Sequence, residues 1–344
     1  MIDLGEEEKH MEFLPHLYGQ PRLKRDLSRL LNERRLPHTM IFYGDEGLGK
    51  TTAALDLAGA VTQSEVYLDL VRCLSDSAME KEPVLIGGKD EVWYLRPLGQ
   101  ELKIEQFRIF LEAMPSFDER PHFCIIDEAQ TMMPPVANAM LKTLEEPASN
   151  VYFILITHDL DALLPTIVSR AERFPFFALS REDYRRLLAE EKDRFPFRSE
   201  KEADDAYILS EGNPGITLEM FGAGDSGPEA AMDFWDMVSR GRAPFSEWTE
   251  RAPQDRKEFQ KLLRWMFWIG RDLMVLSEAP GAVMERCRQV AGRERAIAPL
   301  WGEGKAEKAL EALKMADAAR SRYISVKNIW DMILVSLIRI QEGR

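Results

Sequence analysis

Residues Gly44-Asp45-Glu46-Gly47-Leu48-Gly49-Lys50-Thr51 read GxxxxGK[ST], set directly between an apolar run ending at Tyr43 and a helix-compatible run, Thr52-Ala53-Ala54-Leu55-Asp56-Leu57-Ala58. That order of strand, glycine loop and helix commits the surrounding chain to an α/β architecture. Such a loop works only where successive backbone N–H groups converge on an anion at the start of a helix. Glycine lets it curl without Cβ clashes, so Gly44, Gly47 and Gly49 are assigned to the loop itself. Lys50 is suited to bridge the β- and γ-phosphates of ATP, the Thr51 hydroxyl to complete a Mg²⁺ shell, and Thr52 to line the first helical turn.

From about Leu17 to Phe176, amphipathic stretches alternate with short apolar runs that end in Gly or Asp, the pattern of parallel strands separated by helices. His38 to Gly44, His122 to Glu128 and Val151 to His158 are the clearest buried strands. Between the last two, Val136, Met140, Leu141 and Leu144 recur at helical spacing before Pro147, which predicts a crossover helix. The second strand ends in Asp127-Glu128. A phosphate loop needs such an acidic partner, Asp127 to hold Mg²⁺ through water and Glu128 to polarise an attacking water. The third strand ends in Thr157-His158, where a polar side chain can sense a γ-phosphate.

Acidic residues outnumber basic ones, 58 to 45, with no long Lys/Arg run, so the footprint of an autonomous DNA binder is missing. Any contact with DNA is expected through an assembly. The acidic start MIDLGEEEKH lacks a signal-peptide pattern and no stretch of about 18 apolar residues occurs, which predicts a cytoplasmic protein with no membrane partner. Cys73, Cys124 and Cys287 are too far apart for a metal knuckle or a disulfide framework and read as small inert side chains.

After Phe176 strand signals fade and helical periodicity takes over. Ser180 followed by Asp183 predicts a helix cap, and GNPG at Gly212 to Gly215 punctuates a short helical segment reaching about Gly224. The remainder holds six of the seven tryptophans, read as core or interface rather than a cofactor box. Ile329, Met332, Ile333, Leu337 and Ile340 give the last helix a broad apolar face. The resulting division is residues 1–176, a P-loop nucleotide-binding domain, 177–224, a small helical lid, and 225–344, an all-α domain.

Asp127-Glu128-Ala129-Gln130, Asn138-Ala139-Met140-Leu141-Lys142-Thr143-Leu144-Glu145-Glu146-Pro147 and Thr166-Ile167-Val168-Ser169-Arg170 together resemble the motifs of the AAA+ clamp-loader family of bacterial DNA polymerase III. Val92-Trp93-Tyr94-Leu95-Arg96-Pro97 is similar to its delta-prime-type chains in particular. The resemblance implies an α/β ATPase domain, a lid and a helical collar joining subunits into a pentameric ring. It further implies that Leu17 and Tyr18 line an adenine pocket and that Arg170 acts in trans on a neighbour's ATP. Partners would be gamma/tau- and delta-type subunits and the sliding clamp. Two departures stand out: Ala171 replaces the family's usual cysteine, and Gly215 stands where motor subunits carry a lid arginine. The lone Cys73 replaces a four-cysteine module of many relatives, so no zinc is expected.

Two functions follow from this resemblance. One is a ring subunit that binds ATP, donates Arg170 and itself turns over little ATP. The alternative is a gamma/tau-type motor or another AAA+ DNA-remodelling ATPase. A small-molecule P-loop kinase would share the phosphate loop but leaves the clamp-loader motifs and the long helical part unaccounted for.

Overall fold

The computed structural model describes residues 13–64, 66, 84–86, 91–97, 99, 101–114, 119–145, 148, 150–195, 197, 200–221, 227–241, 248–249, 251–253, 256–282, 290–320 and 324–343. Cys73, Cys287, Glu146 and Pro147 lie outside them. The described residues form two units. One runs to Glu190 and includes Gly212–Gly215; the other comprises Glu191–Glu211 and everything from Ile216 onward.

The first unit contains α1 (Pro21–Asn32), β1 (Thr39–Tyr43), α2 (Lys50–Thr62), β2 (Val84–Ile86), β3 (Val92–Leu95), α3 (Ile104–Ala113), β4 (His122–Ile126), α4 (Pro134–Glu145), β5 (Val151–Thr157), α5 (Pro165–Val168), β6 (Glu172–Pro175) and α6 (Arg181–Glu190). The sheet order is β2-β3-β4-β5-β1-β6, with β3 to β6 and β1 mutually parallel and β2 antiparallel at the edge. The three expected strands are β1, β4 and β5, paired in one register, Ile41 opposite Leu155 and Ile126 also opposite Leu155.

Successive residues of a strand face opposite ways, and both faces are covered here. Met40, Phe42, Phe123, Ile125, Ile154 and Ile156 join the core beneath α1 and α2. Ile41, Cys124, Ile126, Phe153 and Leu155 join the opposite core with Phe107, Phe110, Val136 and Met140. Double coverage explains why these strands read as unbroken apolar runs rather than alternating ones. Cys124 is fully buried, and burial pushes its thiol well above the ordinary range, which leaves it inert. Ser180 caps α6 as its spacing predicts: Asp183 N donates to Ser180 Oγ at 3.1 Å, and that hydroxyl donates to Asp183 Oδ2 at 2.7 Å.

The second unit is helical among its described residues: α7 (Glu200–Ser210), α8 (Pro214–Phe221, from Ile216), α9 (Gly227–Arg240), α10 (Arg256–Glu278), α11 (Ala291–Ile297), α12 (Lys305–Arg320) and α13 (Val326–Gln341). Trp235, Trp248, Trp265, Trp268, Trp301 and Trp330 are all buried in one core. Two of their indoles are partnered by backbone carbonyls of the same unit: Trp235 Nε1 donates to Met266 O at 2.9 Å and Trp330 Nε1 to Trp248 O at 2.7 Å. On α13, Ile329, Ile333 and Leu337 turn inward, whereas Met332 is 41% exposed. No described helix is long and apolar enough to cross a membrane.

One charge in this core sets a pH dependence. Glu294 in α11 is 1% exposed; burial, reinforced by the Asp272 charge and partly offset by Arg295, pushes its carboxyl up to about 8. The folded chain thus holds this proton more tightly than the unfolded chain, whose glutamate titrates near 4.5. The stability contributed is full below the unfolded value and is lost as pH rises through about 8. Glu294→Gln is expected to raise the melting midpoint by several degrees at about pH 9 and to leave it nearly unchanged at about pH 5. Calorimetric scans at both pH values check this, and equal shifts would contradict it.

Candidate phosphate-binding site

The loop from Gly44 to Gly49 closes β1 and delivers the chain into α2, whose first residue is Lys50. Gly44, Gly47 and Gly49 all take positive φ, 136°, 82° and 87°. A Cβ at Gly49 would meet Leu17 Cδ1 at 2.9 Å, so Leu17, 3% exposed, packs directly under the loop. Leu17 is held there by a clamp that sequence reading did not foresee. The buried Asp56 of α2 accepts from His16 N at 2.9 Å and pairs with His16 Nδ1 at 2.7 Å. Burial raises the Asp56 carboxyl, against the pull of His16 and Lys24. Tyr18 points its hydroxyl to Glu190 Oε2 at 2.8 Å, at the end of α6.

Lys50 is 7% exposed, and its ammonium donates to Gly44 O and Asp45 O, each at 2.5 Å. Burial lowers its affinity for the proton, while Asp127, Glu46 and Asp45 draw it back. An enclosed cation of this kind gains from an added anion, since partners are stronger in a desolvated site.

Thr51 and Asp127, separated by 76 residues, meet: Thr51 Oγ1 donates to Asp127 Oδ2 at 2.9 Å. Two further donors reach the same carboxylate, Tyr94 OH to Oδ2 at 2.5 Å and Glu128 N to Oδ1 at 2.9 Å. Burial and the adjacent carboxylate push the Tyr94 phenol far above its ordinary range, so it stays protonated and keeps the hydrogen it donates to Asp127. A hydroxyl beside a carboxylate is the hard oxygen set that suits Mg²⁺. Glu128 takes the left-handed conformation, φ 50°, and is exposed. A non-glycine residue rarely adopts that region without a local reason. Here it turns the chain at the end of β4 and presents the carboxylate to solvent.

Thr157 lies opposite Tyr43, one residue before Gly44, and is 1% exposed. Its hydroxyl is within reach of Gln130 Oε1 at 2.9 Å and Asp159 O at 2.8 Å, and accepts from Asp159 N at 3.0 Å. Next to it, His158 Nδ1 lies 3.2 Å from Glu46 Oε1, which ties the end of β5 to the loop. Thr52 is half-buried in the first turn of α2. Arg170 stands apart from this set, on the turn after α5, where it donates to Thr166 O at 3.1 Å and to Glu145 Oε1 at 3.3 Å.

A mostly parallel sheet with a glycine loop after β1, an acidic pair after β4 and a polar residue ending β5, all at carboxyl ends of strands, is the arrangement of a P-loop α/β domain. Residues 19–180 match the family model described as DNA polymerase III, delta subunit. Over this region, just under half of the chain, the sequence is similar to that family. Among relatives, it is 31% identical over 159 residues to DNA polymerase III subunit delta' of Bacillus subtilis, covering 46% of this chain and 47% of that one. It is 29% identical over 185 residues to DNA polymerase III subunit gamma of Buchnera aphidicola, covering 52% and 48%. The chain thus spans about half the length of these two relatives. A crystal structure of a DNA polymerase III gamma subunit-related protein from Thermotoga maritima aligns over 92% of this chain and 99% of its own, at 18% identity and a TM-score of 0.46.

Proposed function

We propose that this chain is a clamp-loader subunit of the replicative DNA polymerase III assembly, binding Mg·ATP in its phosphate loop and donating Arg170 to ATP on a neighbouring subunit. The observation that carries the nucleotide reading is the convergence of Lys50, Thr51 and Asp127: a buried cation, a hydroxyl and a carboxylate around a glycine loop. Bound ATP would supply the phosphates for the loop N–H groups and Lys50, with Thr51 and Asp127 holding Mg²⁺. Leu17 and Tyr18 would meet the base, and Thr157 would serve the γ-phosphate side.

The trans role of Arg170 rests on the Ser169-Arg170 motif and on its half-exposed guanidinium, which is permanently charged and can fork onto phosphate oxygens. Its pair with Glu145 is exposed and weak, and so easily exchanged for a stronger anion. Gamma/tau- and delta-type subunits, the sliding clamp and primed DNA are the partners this reading names. The three-part division at residues 176 and 224 belongs to the same proposal. Gly215 in place of a lid arginine favours the arginine-donating role over that of a gamma/tau-type motor.

Titration of Mg·ATP into the purified chain by calorimetry tests the nucleotide reading. Saturable binding is expected, weakened about a hundredfold or more in Lys50→Ala, since a charge-assisted contact in a desolvated site is lost. Equal affinity in the two proteins would overturn it.

A further inference from the structure

The glycine-rich turn Gly212-Asn213-Pro214-Gly215 lies in the same unit as the phosphate loop and is bonded to it. Asn213 Nδ2 donates to Glu46 O at 2.7 Å. Gly215 N lies 3.1 Å from Gly47 O and 3.0 Å from Asn213 Oδ1, and so reaches both acceptors. With Lys50 on Gly44 O and Asp45 O, four consecutive loop carbonyls are each tied down by a residue of this chain. In a trans peptide the C=O and the following N–H point in opposite directions. Fixing Glu46 O and Gly47 O toward the turn therefore fixes the Gly47 and Leu48 N–H groups toward the opposite side, where an anion would be cradled.

Resting on the nucleotide reading above, we infer that Asn213 and Gly215 are positioning residues of the phosphate site, orienting the loop before any ligand arrives. The same contact accounts for the missing side chain at 215. A Cβ there would lie 2.3 Å from Gly47 Cα, and a Cβ on Gly47 would lie 2.6 Å from Gly215 Cα, so two glycines are required where the backbones touch. Position 215 serves loop packing and cannot also carry an arginine toward a nucleotide. The turn is anchored from behind as well, Leu179 N donating to Gly212 O at 2.9 Å.

The test uses the full chain with Asn213→Ala and Asn213→Ser. Serine can keep the local turn by accepting from a backbone N–H, but is too short to reach Glu46 O. Amide exchange of the loop, residues 45–49, in the unliganded protein is expected to speed up about tenfold in both variants, with strand amides unchanged. Calorimetry with tripolyphosphate and with Mg·ATP is expected to show affinity falling by about the same tenfold factor for both ligands, because the defect is on the phosphate side. Unchanged loop exchange, or a loss confined to Mg·ATP, would overturn the assignment. If the wild-type chain bound neither ligand, the nucleotide reading would fail and the phosphate role of Asn213 with it. Wild-type binding untouched by either variant would overturn the Asn213 assignment alone.

Discussion

Replacing Arg170 by alanine is expected to lower ATP turnover by the assembled ring about a thousandfold, the lower end of what a trans-acting arginine supplies in phosphoryl transfer. The isolated variant should bind Mg·ATP as the wild type does, because Arg170 bonds Thr166 and Glu145 rather than the loop. Lysine should not restore turnover, since a single ammonium cannot fork onto two phosphate oxygens. Steady-state hydrolysis by a ring reconstituted with its partner subunits checks both variants. Turnover within a fewfold of wild type would remove Arg170 from the chemistry.

The second large effect concerns folding. Trp301 is fully buried, stands edge-on to Trp235 with ring centroids 4.7 Å apart, and donates to Ser239 Oγ at 2.7 Å. Ser239 Oγ in turn donates to Trp235 O at 2.5 Å. Trp301→Ala removes the ring, leaves a cavity and takes away a partner of a buried hydroxyl, at a cost of about 3–5 kcal/mol. Trp301→Phe keeps most of the volume and loses the N–H, and should cost about 1–2 kcal/mol. Denaturant unfolding measures both. A cost under about 1 kcal/mol for the alanine variant would mean that this helical core does not depend on its tryptophan pair.

Much of the first unit was legible because burial on both sheet faces leaves a plain mark on sequence. β1, β4 and β5 are uninterrupted apolar runs, and the residues that close them, Gly44, Asp127 and Thr157, stand out against them. β6 left no such mark. It reads Glu172-Arg173-Phe174-Pro175, pairs among the described residues only with β1 and exposes both charged residues, so only Phe174 of the four is buried. β3 appeared only as part of a family motif and β2 not at all, being a three-residue edge strand. In the site, loop and acidic pair were readable because their spacing is local to single strand ends. The contacts that hold them in place were not: Tyr94 to Asp127 spans 33 residues, His16 to Asp56 spans 40 and Asn213 to Glu46 spans 167. Nothing in a tyrosine, an aspartate or an asparagine taken alone announces a partner so distant. Glu294 was equally silent, since a helix reading AGRERAI gives no hint that this glutamate faces a core.

The claim that this chain serves a neighbour's ATP more than its own is tested most directly by comparing two variants in the same reconstituted ring. Glu128→Gln disables any water activation at this chain's own site, and Arg170→Ala disables only what it offers to the next subunit. The expectation is ring turnover close to wild type with Glu128→Gln and nearly abolished with Arg170→Ala. Turnover abolished by Glu128→Gln and untouched by Arg170→Ala would contradict it and make the chain a motor in its own right.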